Sequence, residues 1–390
     1  MIDTVVLIIP ETNYKILDSK KFIPSADILD RSVGFGAKAY ISCVQNTSKE
    51  DYANGLSSVK LTITKRFVKG GFIKPLKIEF SASKLLFLTN LYELSESDFS
   101  LLIDTLLNRL LRMGIEISRA SLTLAQVSVI NFSKNIILPS FITPSMITKE
   151  LAKVDVTKRL SLDKSMFKNL GHALIFYAKS YEIVIYDKKK ELEQRTGVKI
   201  DNDPTLFQQN LFSENKPLYN ALPEILRIEI RLNLSTKIES ILKTIGKPKD
   251  RSFINLFKHD IARKVVLYYW ELMTTDKNAF LFSGENDMDR IAQEIHKNNP
   301  KISAQKLLAT IGYLTFSKQK GVRILRQFIE SKYTGRTWFR IANYSKALTF
   351  YSSLTDKIKF WIDIRNMILE FKPIKPLDFQ NQMINNDKDS

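Results

Sequence analysis

Tyr181-Glu182-Ile183-Val184-Ile185-Tyr186-Asp187-Lys188 is an apolar run that reads as a β-strand. Residues two apart on a strand share a face, so Glu182, Val184, Tyr186 and Lys188 line up while Ile183 and Ile185 turn into packing. The run from Ala173 to Ala178, joined to it by Lys179-Ser180, completes a predicted hairpin. Downstream, Leu226-Arg227-Ile228-Glu229-Ile230-Arg231-Leu232 has the cleanest period-two pattern in the chain. Its Leu and Ile residues face one way. Arg227, Glu229 and Arg231 face the other, which sets one carboxylate between two guanidiniums, either as a salt-bridge ladder on a sheet surface or as part of a site.

Working outward, Asp3 and the short apolar run Val5 to Ile9 predict a first strand rather than an export signal. Val59 to Phe67 and Phe72 to Phe80 suit a hairpin about Gly70-Gly71, carrying Lys60, Lys65, Arg66, Lys69, Lys74 and Lys77. These cations are either a solvated charged hairpin or a ribbon that tracks phosphates. Ser95 to Asp98 resembles a capping box opening a helix, with Phe99, Leu102, Leu106, Leu110 and Met113 as its core stripe up to Gly114. Strands are expected at Glu116 to Leu124 and Ala125 to Phe132, then a helix with Thr143 as cap and Pro144 at its first position.

From Leu234 the pattern turns helical, and Gly246-Lys247-Pro248-Lys249-Asp250 reads as a linker. Phe253 to Met273 is a long aromatic-rich helix, followed by helices at Asp287 to His296, Ala304 to Thr315 and Val322 to Ser331. Thr334 to Tyr344 places a turn, a capping threonine and then a helix carrying Arg340 and Lys346, either a recognition helix of the helix-turn-helix type with Arg336 and Arg340 facing the groove or an ordinary capped helix with Trp338 and Ile341 inward. The expected architecture is α+β: an antiparallel-sheet domain over 1–245, an all-helical, helix-turn-helix-like DNA-binding domain over 251–374, and a polar tail over 375–390.

The chain has 390 residues, 44% of them hydrophobic, enough for two globular cores. Its 59 Lys and Arg outnumber 41 Asp and Glu, for a net charge of +18 that favours a polyanionic partner such as nucleic acid. No apolar run reaches the roughly 18 to 20 residues of a membrane span, so a soluble protein is expected. The single cysteine, Cys43, rules out an internal disulfide and suits a reducing cytoplasm. The three histidines are too widely spaced for a two-histidine metal motif, and neither a P-loop nor a G-x-S-x-G elbow occurs.

Tyrosine, lysine, arginine and carboxylate remain, a set suited to phosphoryl transfer on DNA. A tyrosine can attack a phosphodiester and store the bond energy as a phosphotyrosyl link. Its ordinary pKa of about 10 makes nearby charge a requirement.

Several stretches carry a resemblance. Met1-Ile2-Asp3-Thr4-Val5-Val6-Leu7, Ile78-Glu79-Phe80-Ser81-Ala82-Ser83-Lys84-Leu85 followed by Asn90, Ile183 to Lys188, and Arg227 to Arg231 occur in that order. In these the chain resembles, along most of its length, the replication initiators of filamentous phages and related plasmids, the gene-two or II/X replication family. The tyrosine hairpin, with Lys179-Ser180, also looks like the trans-acting plasmid rolling-circle initiators.

The resemblance implies a Rep-type nicking domain that cuts supercoiled double-stranded origin DNA, becomes 5′-phosphotyrosyl at Tyr186, and rejoins the displaced single strand with Mg²⁺ or Mn²⁺. Tyr186 would be the nucleophile, Lys188 its charge partner, and Glu229 a metal ligand or base. Arg227, Arg231, Lys60, Lys65, Arg66, Lys69, Arg336 and Arg340 would contact DNA. Where relatives place an acid or histidine in an earlier strand, this chain offers Asn131, or Ser121 in an alternative strand. Asparagine brings no charge, so Glu79 or Glu182 would complete the metal shell. A host helicase and polymerase, and the cytoplasm of a bacterial host, follow from the same resemblance. The competing classes are a DNA-binding initiator or regulator that does not cut, and a basic protein that binds RNA or a membrane surface.

Overall fold

The computed structural model describes residues 1–31, 40–54, 56–68, 71–138, 142–154, 160, 164–168, 172–197, 223–274, 292–293, 295–297, 299–333, 335–344 and 355–375. Twelve strands are present among them: β1 Ile2–Ile9, β2 Tyr14–Ile16, β3 Tyr40–Asn46, β4 Val59–Val68, β5 Gly71–Ile73, β6 Leu76–Ser81, β7 Ile115–Ile117, β8 Gln126–Ile137, β9 Lys164–Lys168, β10 Ala173–Tyr177, β11 Tyr181–Asp187 and β12 Ile225–Leu232. A large antiparallel sheet runs in the order β3-β4-β6-β1-β8-β12-β11-β10-β9, with β5 paired to β4. β2 and β7 form a separate pair. The fold is mixed α and β, as the strand and helix periods require.

β1 is almost continuously apolar because it lies at the centre of the sheet between β6 and β8. On β12 the alternation sorts two environments. Leu226, Ile228, Ile230 and Leu232 are fully buried, and each contributes about 1.5 to 3 kcal/mol relative to an exposed side chain. They share one core with Ile238 and Ile241 of the helix Ser235–Thr244 and with Val265, Val266 and Trp270 of the helix His259–Thr274.

The helix Phe99–Arg112 starts where expected. Asp98 accepts from the Ser95 backbone N–H at 2.7 Å in a capping box, and Leu102, Leu106 and Leu110 are buried. Gly114 ends it at φ +79, a left-handed conformation, and a Cβ there would lie 3.0 Å from Cβ of Asp18.

Three expectations change. Arg119–Thr123 is a helix rather than a strand, because the Ser118 hydroxyl accepts from the Ser121 N–H and caps it. Ser121 therefore offers no strand position for a metal. The long helix from Phe253 is broken into Phe253–Leu256 and His259–Thr274. The linker at 246–250 is a turn in the chain and does not interrupt the core: Phe253, Ile261, Trp270, Ile364, Ile368 and Phe371 belong to the sheet's own hydrophobic cluster. Val127 N–H and Phe253 N–H donate across the join to Arg251 and Ala125 carbonyls.

A second cluster is formed by the helices Ala304–Lys320, Val322–Lys332 and Gly335–Tyr344, around Tyr313, Leu325, Ile329 and Trp338. The polar connection at 201–222, most of the helix expected at 287–296 and nearly all of the tail from 375 lie outside the described residues.

Candidate active site and nucleic-acid interface

The antiparallel register sets the site. Across β11 and β12, Tyr186 stands opposite Arg227, Val184 opposite Glu229, and Glu182 opposite Arg231. Across β12 and β8, Arg227 faces Asn135, Glu229 faces Ser133, and Arg231 faces Asn131. Strand alternation puts all of them on the sheet face turned away from Ile228 and Ile230.

Glu229 is the hub. Its Oε1 accepts from the Tyr186 hydroxyl at 2.8 Å and from Arg227 Nε at 2.7 Å. Its Oε2 accepts from Arg231 Nη2 at 2.8 Å and Nε at 3.1 Å. Arg231 Nη1 also reaches Glu182 at 3.3 Å. Arg227 is tied further inward, to Asp3 at 2.9 Å, the Asn90 carbonyl at 2.8 Å and Asn135 Oδ1 at 3.1 Å. Burial falls along this chain of contacts, from side-chain exposures of 1% for Arg227 and 3% for Glu229 to 35% for Arg231. The network thus opens to solvent at Arg231 and Glu182, with Tyr186 partly exposed.

The electrostatics follow from that burial. Burial alone would push the Glu229 carboxyl up, but Arg227 and Arg231 beside it hold it down to about 2. Burial, followed by the Glu229 charge, raises the Tyr186 phenol well above its ordinary value, with Arg227 opposing. Burial works against the Arg227 charge, yet Tyr186, Asp3 and Glu229 leave the guanidinium more firmly protonated than usual. The resting site is a neutral phenol donating to an ionised carboxylate.

Lys188 reaches this site differently from a strand residue. It begins the helix Lys188–Gly197, is fully buried, and donates to Asn90 Oδ1 at 2.7 Å and Glu191 at 2.5 Å. Its ammonium lies over the Tyr186 ring, 5.9 Å from the centroid.

The expected metal shell is not assembled. Both Glu229 oxygens are engaged by guanidiniums, and two fixed positive charges flank the position a divalent cation would take. Glu79 is on β6, paired with Lys77 at 3.3 Å and three strand spacings, about 14 Å, from β12. Glu182 is held by Arg231, and Asn131 stands opposite Arg231 in register. This donor set does not fit Mg²⁺ or Mn²⁺, which take clustered oxygen ligands. Among the described residues no group of three or more His, Cys, Asp or Glu could hold a metal.

The DNA-contact expectations divide. Arg227 is enclosed and cannot meet a phosphate as it stands. Lys60 and Arg66 are exposed and share the polar face of β4. The Lys65 ammonium instead donates to the carbonyls of Leu29 at 2.7 Å and Arg31 at 2.8 Å. Lys69 lies outside the described residues. In the helix Gly335–Tyr344, Arg336 and Arg340 are exposed and one turn apart, while Trp338 is 1% exposed in the three-helix cluster. No helix among the described residues is long and apolar enough to cross a membrane.

Asp3, Asn90 and Asn135 complete the network and were missed as site residues by pattern reasoning. Their signal was present in Asp3, an acid in a largely apolar central strand, which demands a buried partner. His172 Nδ1, 2.7 Å from Ser145 Oγ, also faces Asp187 at 3.7 Å. One ring nitrogen serves both contacts, so the trio is not a relay through the imidazole. Searches against family models, curated proteins and solved structures return no match for this chain.

Proposed function

We propose that the protein is a rolling-circle replication initiator that cuts one strand of its origin with Tyr186. The observation that carries this reading is the 2.8 Å contact between the Tyr186 hydroxyl and Glu229 on a sheet face that opens at Arg231, in a chain of net charge +18. A phosphate arriving at the open edge draws the Arg231 guanidinium from Glu229. The carboxylate then loses one of its two positive neighbours and becomes more basic. It takes the phenolic proton as the Tyr186 oxygen attacks phosphorus, and the P–O3′ bond breaks. The 3′ oxygen leaves with a proton from water, and the 5′ side stays joined to Tyr186. Arg231 neutralises the charge that develops on the phosphoryl oxygens. In this reading the partners are the origin duplex, the displaced strand, and a host helicase and polymerase, in the cytoplasm of a bacterial host.

A second reading is favoured by the closure of the network: Glu229 is already doubly ion-paired and the phenol is held neutral. It makes the protein a DNA-binding initiator or regulator that does not cut, acting through the helix Gly335–Tyr344. One experiment separates the two. Supercoiled origin plasmid is incubated with the protein, with divalent metal or with EDTA, and resolved under denaturing conditions. A covalent adduct that is lost in Tyr186→Phe supports cutting; an adduct that survives Tyr186→Phe rejects Tyr186 as nucleophile. Binding with no adduct in any arm supports the second reading.

A further inference from the structure

Away from the sheet's polar face, a cavity of about 400 Å³ lies among the helices Ala82–Phe87 and Phe99–Arg112 and the chain that leads into β4. That volume is within the range of small-ligand pockets. Leu56, Leu85, Leu88 and Leu111 supply apolar wall. Arg109, which also lines the cavity, is 4% exposed, and its Nε, Nη1 and Nη2 have no hydrogen-bond partner among the described residues. Ser57 Oγ, on the same lining, is buried and equally without a partner. Asp51 lies 3.2 Å from Arg109 Nη1, balancing the charge without meeting the guanidinium's hydrogen-bonding geometry.

A buried guanidinium with unmet donors is a costly arrangement that an acceptor would relieve. Its planar fork matches a carboxylate in two parallel hydrogen bonds. The local charge selects among anions. Asp51 balances buried Arg109, and exposed Arg112 leaves the rim positive for an anion to meet. A monoanion makes the site neutral, whereas a dianion overshoots. The leucine walls ask for an apolar body behind the charged head.

We propose that this cavity is a binding site for a small monocarboxylate with an apolar body. The full chain is titrated calorimetrically with octanoate, octan-1-ol and inorganic phosphate as probes. Octanoate is expected to bind saturably at one site, with octanol and phosphate each weaker by about tenfold or more, because octanol lacks the charged two-oxygen head and phosphate lacks the apolar tail. Arg109→Met is expected to weaken octanoate by about tenfold or more. Thr105→Trp fills the cavity from a partly exposed helix position and abolishes saturable binding. If Arg109→Met does not fold, Thr105→Trp and Arg112→Gln carry the test. Absence of saturable octanoate binding, equal affinity for octanol, or wild-type affinity in the folded variants overturns the proposal.

Discussion

The Tyr186 hydroxyl donates to Glu229 Oε1 at 2.8 Å, although the residue opposite Tyr186 in the β11–β12 register is Arg227. The contact is diagonal, two residues along the neighbouring strand, a reach open to long side chains on one sheet face. Arg227 bends back to the same oxygen from the other side. Phenol, carboxylate and guanidinium therefore share one atom, and the protonation of each depends on the other two as well as on burial.

The first consequence is spectroscopic. A phenol raised by burial and by an adjacent carboxylate stays neutral where ordinary tyrosines ionise, near pH 10. Because the folded value is raised, the associated stability is complete below pH 10 and is lost only as pH climbs beyond it. Tyrosinate absorbance of the wild type minus that of Tyr186→Phe is expected to be flat through the ordinary titration range. A step of one tyrosine near pH 10 would show that the phenol is not held in this way.

Glu229 and Arg231 are expected to differ sharply in what they hold. Glu229→Gln removes one of the two carboxylates that balance buried Arg227, Asp3 being the other, and is expected to cost about 3 kcal/mol in denaturant unfolding. Arg231 is 35% exposed, so Arg231→Gln is expected to cost no more than about 1 kcal/mol. Equal losses in the two variants would contradict the inward gradient of burial.

The same carboxylate sets an acid limit. Its folded value of about 2 lies below the ordinary 4.5, so its stabilisation is present above the ordinary value and is lost as pH falls from about 4.5 towards 2. The loss is at most about 3 kcal/mol. Urea midpoints measured at pH 6 and pH 3 are expected to fall further in the wild type than in Glu229→Gln, which cannot take up that proton.

How much of this was legible in the sequence depends on whether the determinant was local. The period-two alternation of Leu226 to Leu232 correctly paired Arg227, Glu229 and Arg231 on one face, because alternation is a property of the strand itself. The pattern could not say that this face is closed over Arg227 and open at Arg231. That is decided by Asp3 and Asn90, which are 224 and 137 residues distant and meet Arg227 only through the fold. Lys188 was placed on the tyrosine's face by counting in twos, but β11 ends at Asp187 and the period changes to a helix. Likewise Gly246 and Pro248 announced a turn, while the apolar stripe of His259–Thr274 gave no indication that its partner would be the sheet rather than other helices.

For magnesium, the two guanidiniums about Glu229 lead to a direct expectation. In the absence of DNA, adding Mg²⁺ is expected to move the Tm no further than sodium at equal ionic strength, since specific binding to the native state would stabilise it by mass action. A magnesium-specific rise that is absent in Glu229→Gln would show that the carboxylate takes a metal after all.

The exposed cations make different predictions according to where their charges point. Arg336 and Arg340 lie one turn apart on the outer side of a helix anchored by Trp338, so each can meet nucleic acid without disturbing the three-helix cluster. Arg336→Ala and Arg340→Ala are each expected to weaken duplex binding and, for a phosphate contact, to reduce the slope of log K against log salt by about 1. A contact to a base edge would instead relax sequence preference while leaving that slope closer to the wild type. Lys65→Ala is expected to leave the slope unchanged and to lower stability, because its ammonium ties β4 to the carbonyls of Leu29 and Arg31. If Lys65→Ala reduced the salt slope as much as Arg340→Ala, the ammonium would have to leave those carbonyls for phosphate, and the ribbon of β4 and β5 would join the interface.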